Sequence, residues 1–210
     1  MMQIKEQFHK KLFVEGNDDQ HVIWALCQQF RIKESFDVID CGGFTKLFEQ
    51  IPVRLKQSDV ETIGIIIDAD IDINTRWQSI KNSEVLRSFE IPDQLPENGL
   101  IRNNTEGIKF GVWIMPNNKT NGMLEDFIAF LVPEKDQLLP IVDNILDDIE
   151  KRDLQKYSII HKAKAKIHTW LAWQEDPGTP LGQSITKKYL STDKETCLRL
   201  INWLRELFSA

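Results

Sequence analysis

Apolar positions along the chain fall into short extended runs and longer stretches with helical spacing. Lys11 to Glu15 (KLFVE) reads as a buried strand, followed by the turn pair Gly16-Asn17. Asp18 to Phe30 then places Val22, Ile23, Leu26 and Phe30 on one helical face. Ser35 to Cys41 alternates and stops at Gly42-Gly43, a second strand leaving the sheet through a turn. Phe44 to Leu55 is a second amphipathic helix, with Leu47, Phe48, Ile51 and Leu55 inward. Thr62 to Ile67 (TIGIII) is almost wholly apolar and β-branched, as a strand at the centre of a parallel sheet requires.

A helix over 75–89 is expected next, opened by Thr75 and Gln78 as a capping box. Residues 91–107 are rich in Pro, Asn and Gly and read as loop with one edge strand. Lys109 to Met115 (KFGVWIM) is another strand, and helices are expected over 123–131, 137–152, 158–173 and 194–208. Strand–helix alternation followed by helices predicts an α/β fold. Its mostly parallel, Rossmann-like sheet is flanked by helices and followed by a helical C-terminal extension. The expected division is 1–135 for the α/β part and 136–210 for the helical extension packed on it.

At 210 residues the chain is long enough for one well-packed domain, or for a domain with an appended helical lobe. No apolar run approaches the ~20 residues that span a bilayer. Residues 1–7 run into charged sequence without a signal-peptide core, so a cytoplasmic location is expected. Cys27, Cys41 and Cys197 suit reduced structural thiols and have no zinc-ligand spacing. The net charge of −6 is unevenly distributed: Glu125 to Glu150 holds eight acids and one lysine, whereas Lys151 to Lys188 holds eight Lys or Arg against three acids. Such asymmetry suits a metal-dependent enzyme acting on a polyanion, and equally two solvated helix faces. No GxGxxG or GxxxxGK[ST] loop is present, which weighs against a simple nucleotide-binding module.

Carboxylates fall where α/β enzymes place their chemistry, beyond the carboxyl ends of strands. Glu15 closes the first strand, Asp68 and Asp70 close the third, and Glu125 and Asp126 follow the last. The spacing of Asp68 and Asp70 lets both point the same way from extended chain. Hard oxygen donors gathered from separate strand ends are what Mg²⁺ requires. Two such ions about 4 Å apart can activate water and stabilise the leaving oxygen of a phosphodiester. Taken singly, each acid reads more readily as a cap or turn residue, and it is the set that points to a site.

Together these segments resemble the Toprim superfamily. Leu12-Phe13-Val14-Glu15-Gly16 is similar to its first motif, and Ile65-Ile66-Ile67-Asp68-Ala69-Asp70 to its second. The resemblance covers residues 10–130 and is to small stand-alone Toprim proteins near the OLD (overcoming lysogenisation defect) nucleases. It implies a Mg²⁺- or Mn²⁺-dependent nuclease with two ions, one on Glu15, Asp68 and Asp70. The other would be held by Asp19 with Glu125 or Asp126. It further implies a downstream catalytic lysine and a nucleic-acid substrate. No ATPase motif lies in this sequence. Where the larger relatives' ATPase is needed, as in an anti-phage module, it is expected from another chain. The expected alternatives are a chain acting alone, a homodimer, and a partner-dependent subunit.

The lysine can be sought by helical geometry. Between Ser158 and Trp173, Ile160, Ala163, Ile167 and Leu171 form an apolar stripe. Lys162 and Lys166 project away from it, while Lys164 borders it, flanked by His161 and His168. A lysine beside a buried face calls for an anionic partner, which marks Lys164 as the candidate for offsetting transition-state charge. A stem lying along the surface is the plain alternative. Lys162, Lys166, His161 and His168 are the expected nucleic-acid contacts. The sequence leaves open Asp18 against Asp19, Glu125 against Asp126, and Lys164 against Lys166.

Overall fold

The computed structural model describes residues 6–57 and 59–209. The start of the chain, residues 1–5, where the absence of a signal-peptide core is read, lies outside them. Five strands form one sheet in the order β2-β1-β3-β5-β4. They are β1 (Lys10–Val14), β2 (Asp37–Asp40), β3 (Thr62–Asp68), β4 (Leu100–Asn103) and β5 (Lys109–Met115). All pairs are parallel except the edge pair β4–β5. The helices are α1 (Asn17–Gln29), α2 (Phe44–Leu55), α3 (Ile73–Lys81), α4 (Leu124–Leu131), α5 (Leu138–Lys151), α6 (Lys162–Ala172), α7 (Leu181–Thr186) and α8 (Glu195–Phe208). The chain is therefore an α/β fold with a mostly parallel, Rossmann-like sheet and a helical C-terminal part.

The direction of winding follows from strand order. From β1 the chain moves to β2 on one side, then crosses back over β1 to β3. Right-handed crossovers in opposite directions place α1 and α2 on opposite faces. One core joins Leu12, Val14, Ile66 and Trp113 to α1, α4 and the C-terminal helices. The other joins Phe13, Ile63, Ile65, Ile67 and Val112 to α2, α3 and a 3₁₀ turn at Glu84–Phe89. Alternate residues of each central strand serve opposite cores, which is why these strands read as continuous apolar runs.

The C-terminal part covers the first face through α8, which lies against β3 and β5. Gly64 and Gly111 sit side by side in those strands and make the floor. A Cβ on Gly111 would stand 2.7 Å from Leu207 Cδ2 and 3.0 Å from Trp203; one on Gly64 would stand 2.8 Å from both Leu12 and Leu207. Because Leu207 is fully buried, it has nowhere to retreat. Gly111→Ala is expected to cost about 1–3 kcal/mol by overpacking, read as a lowered urea midpoint at unchanged m-value.

Several elements differ from the sequence reading. The helix expected over 75–89 breaks at Asn82 into α3 and the 3₁₀ turn. Its cap is Asp72, which accepts from the Asn74 amide at 2.9 Å and the Thr75 hydroxyl at 2.6 Å, so Thr75 is a partner of the cap. The helix expected from 158 begins at Lys162, after a 3₁₀ turn at Ile159–His161. The short α7 was not expected. Among the described residues, no helix is long and apolar enough to cross a membrane. Burial pushes the thiols of Cys41 and Cys197 up to about 12, as inert structural cysteines require.

Candidate active site

In an open α/β sheet the natural crevice lies at the carboxyl ends of the strands where the winding reverses, here between β1 and β3. Glu15 and Asp68 stand on either side of that point. They are linked directly, the Asp68 amide donating to Glu15 Oε1 at 2.9 Å. Asp68 Oδ1 in turn accepts from the Leu124 amide at 3.0 Å, at the amino end of α4, where the helix dipole favours a negative group. Asp19, in the first turn of α1, reaches back to the Gly16 amide with Oδ2 at 3.2 Å. Its Oδ1 is buried and has no hydrogen-bond partner. Glu125, in the first turn of α4, is 3% exposed and meets the Lys164 ammonium of α6 at 3.2 Å.

These acids stand close enough to repel one another. Burial first, then Glu15 and Glu125, push the Asp19 carboxyl up to about 7. Burial first, then Asp19, Glu15, Glu125 and Asp70, hold the Asp68 carboxyl well above the usual range. Glu15 is raised as well, chiefly by burial, with the Asp68 amide and Arg76 opposing. Burial works against the charge of Lys164, but Glu125, Asp18 and Asp68 outweigh it and raise its pKa. A buried, mutually repelling set of carboxylates with one unpartnered oxygen costs stability unless a cation or protons offset it.

The sequence alternatives separate by helix rotation. Asp19 turns inward, whereas Asp18 stays half-exposed on the rim. Glu125 turns inward, whereas Asp126 caps its own helix, accepting from the Met123 amide at 2.9 Å. Lys164 meets Glu125, whereas Lys166 pairs with Asp143 of α5 at 2.8 Å. Lys162 pairs with Asp147 and Glu150 at 3.0 and 2.6 Å. The acidic and basic halves of the charge pattern thus meet along α5 and α6. His161 and His168 are exposed, His161 lying 3.2 Å from the Ser158 hydroxyl. Trp77 and Trp170 are core residues, and Trp173 is 40% exposed. Gly42 and Gly43 form the turn after β2, the Gly43 amide bonding Glu15 O at 2.7 Å.

Asp70 departs from the expected geometry. It lies past the strand in a left-handed conformation, φ 54°, so alternation along extended chain does not orient it. Its carboxylate pairs with Arg76, whose guanidinium lies 3.9 Å over the Phe44 ring. Backbone bonds of 2.9 and 2.8 Å join Asp70 to Gly122. Asn121 ties the same two loops, accepting from the Ile73 amide at 3.0 Å and donating to Ile71 O at 2.6 Å. Sequence reasoning missed Arg76, Asn118 and Asn121. Asn118 is buried and closes the turn after β5, accepting from the Ile114 amide at 2.7 Å. The Pro-Asn-Asn cluster at 116–118 is the sequence signal for that turn. Asp70, Asp126, Lys162 and Lys166 line one cleft of about 450 Å³ beside the buried acids.

Gly122 is required here twice over. Its φ is 135°, and a Cβ would fall 2.6 Å from Asp126 Oδ2. Gly122→Ala is expected to lose about 1–3 kcal/mol of stability in urea unfolding, as strain and the displaced cap add.

Among the described residues, no three His, Cys, Asp or Glu side chains already surround a common ion position. The donor set nevertheless fits a hard divalent cation: four inward carboxylates, one orphaned oxygen, and mutual repulsion that a dication would relieve. Glu15, Asp19, Asp68 and Glu125 are the residues able to hold it, with Asp70 at hand once released from Arg76.

A family model described as "Protein of unknown function (DUF3226)" matches residues 9–209. No curated protein and no solved structure matches the chain. The match takes in the sheet, the acidic crevice and the C-terminal helices together, and the chain belongs to the DUF3226 family.

Proposed function

We propose that the chain is a Toprim-type, Mg²⁺- or Mn²⁺-dependent phosphodiesterase acting on DNA or RNA. The observation that carries this reading is the meeting of Glu15, Asp19, Asp68 and Glu125 at the switch point of the sheet, with Asp19 Oδ1 buried and unpartnered. Both strand-end motifs of the sequence resemblance contribute to that crevice. Two divalent ions held there would supply an activated water and neutralise charge building on the phosphate.

The protein's own residues have separable tasks. Glu15 and Asp68 hold each other in place through the Asp68 amide. The α4 amino end fixes Asp68 by the Leu124 amide. Lys164, half-exposed beside buried Glu125, can swing its ammonium toward a phosphate oxygen and offset its charge. Arg76 pairs with Asp70 and is steadied there by the Phe44 ring.

A second reading, a subunit active only with a separate ATPase chain, is favoured by one feature. Asp70 and Glu125 are each paired with a basic side chain of the chain, Arg76 and Lys164, with which a bound ion or substrate would have to compete. Labelled single-stranded and duplex DNA and RNA, incubated with Mg²⁺ or Mn²⁺ beside Asp68→Ala, test the first reading. Cleavage that Asp68→Ala leaves untouched would sink it. A chain that binds the ions yet cleaves none of the four substrates would move the partner-dependent reading forward.

A further inference from the structure

A second concavity opens from the same end of α1. Helix α7 crosses α1 backbone to backbone: a Cβ on Gly182 would lie 2.6 Å from the His21 carbonyl oxygen. Beside this crossing runs a groove of about 450 Å³ whose lining includes Asn17, His21, Trp24, Gln28 and Gln183. Trp24 is 37% exposed, although α1 otherwise turns its apolar residues to the core. Its ring and that of His21 stand 5.2 Å apart at 89°, a right-angled aromatic corner. None of these five side chains hydrogen-bonds another described residue, so their donors and acceptors face the groove or solvent unspent.

We propose that this groove seats one nucleobase of a single-stranded polynucleotide, next to the phosphate that the acidic crevice would process. The inference rests on the nuclease reading and names its substrate class. A flat aromatic face with free amide and imidazole edges suits a base, which stacks and presents donors and acceptors on its rim. The groove has no Lys or Arg in its lining, and Asp18 on its rim would repel a phosphate; the phosphate's place is the crevice. Asp18 connects the two, lining the groove and lying within electrostatic reach of Lys164. The volume admits one base with its sugar, not a duplex.

Uncharged nucleosides test the seat without metal, phosphate or cleavage. Adenosine, guanosine, cytidine and uridine are titrated separately into ¹⁵N-labelled full-length protein, and the tryptophan indole N–H signals are followed. The Trp24 signal is identified by its loss in Trp24→Phe. At least one nucleoside is expected to move Trp24 saturably while exposed Trp173 stays in place. Gln183→Ala, at an exposed position, is expected to weaken that binding about fivefold, the worth of one hydrogen bond. Trp24→Ala should weaken it about tenfold, followed by ligand-observed saturation transfer. Asp68→Ala should bind nucleoside as the unsubstituted protein does, which separates the seat from the crevice. A Trp24 signal that no nucleoside moves, or that moves only as Trp173 does, overturns the proposal even if the protein cleaves polynucleotides. A saturable Trp24 shift in a protein that cleaves nothing supports the seat and removes the nuclease reading instead.

Discussion

Asp68→Ala is expected to lower metal-dependent cleavage about a thousandfold or more, while leaving the metal-free fold at pH 8 at least as stable as before. The two effects have one cause. Asp68 is buried among Asp19, Glu15 and Glu125, so its charge opposes folding and favours a bound cation. Deleting it relieves the first and forfeits the second, the opposition of stability and activity expected where a site stores like charge. Lys164→Ala separates the roles further. The ammonium touches Glu125 at 3.2 Å, and its loss should cut cleavage about 10²–10³-fold, the worth of one preorganised charge-stabilising group. Ion binding should survive in that variant, because no oxygen donor is removed. Cleavage rates and ion titrations of both variants check these statements. A Lys164→Ala protein that loses ion binding as Asp68→Ala does would contradict the assignment.

The second large effect is on stability against pH. The Asp19 carboxyl, ordinarily near 3.8, stands at about 7 in the fold, and Glu15, Asp68 and Asp126 are displaced upward too. A raised carboxyl binds its proton more tightly folded than unfolded. Its stabilising contribution is therefore complete below the unfolded value and is lost as pH rises through about 7. The metal-free protein should be more stable at pH 5.5 than at pH 8, by on the order of a few kcal/mol. The carboxyls held low by ion pairs, such as Asp37 beside Lys11, titrate below this window and do not disturb the comparison. Asp19→Asn should flatten the slope and raise stability at pH 8, and saturating Mg²⁺ should flatten it for the unsubstituted protein. Urea unfolding at the two pH values, with and without Mg²⁺, measures all three. Greater stability at pH 8 without metal would contradict the buried acidic cluster.

The central sheet was legible because both faces of β1, β3 and β5 are buried, which leaves uninterrupted apolar runs such as TIGIII and KFGVWIM. The candidate site was legible as a set of strand-end acids and not as individuals. Asp18 and Asp19 are neighbours, and only the rotation of α1 decides which carboxyl faces inward; the same holds for Glu125 and Asp126 at α4. What remained hidden depends on tertiary contact. Arg76 acts on Asp70 through a helix placed only by folding. The acids of α5 and the lysines of α6 meet because the two helices pack antiparallel, whereas the charge pattern alone reads as an acidic half beside a basic half, or as two solvated helix faces. Helix α7, six residues within a Pro- and Gly-rich stretch, is too short for periodicity to show. The need for glycine at 182 comes from the α1 backbone beside it, which no local pattern reveals.

The most direct test of the account is a calorimetric titration of Mg²⁺ and Mn²⁺ into metal-free protein at pH 8, beside an Asp68→Ala/Asp70→Ala variant. The account expects saturable binding that the double variant abolishes, with stability rising as the ions bind. No saturable binding to the unsubstituted protein, or equal binding to the double variant, would contradict a divalent-metal site at the ends of β1 and β3.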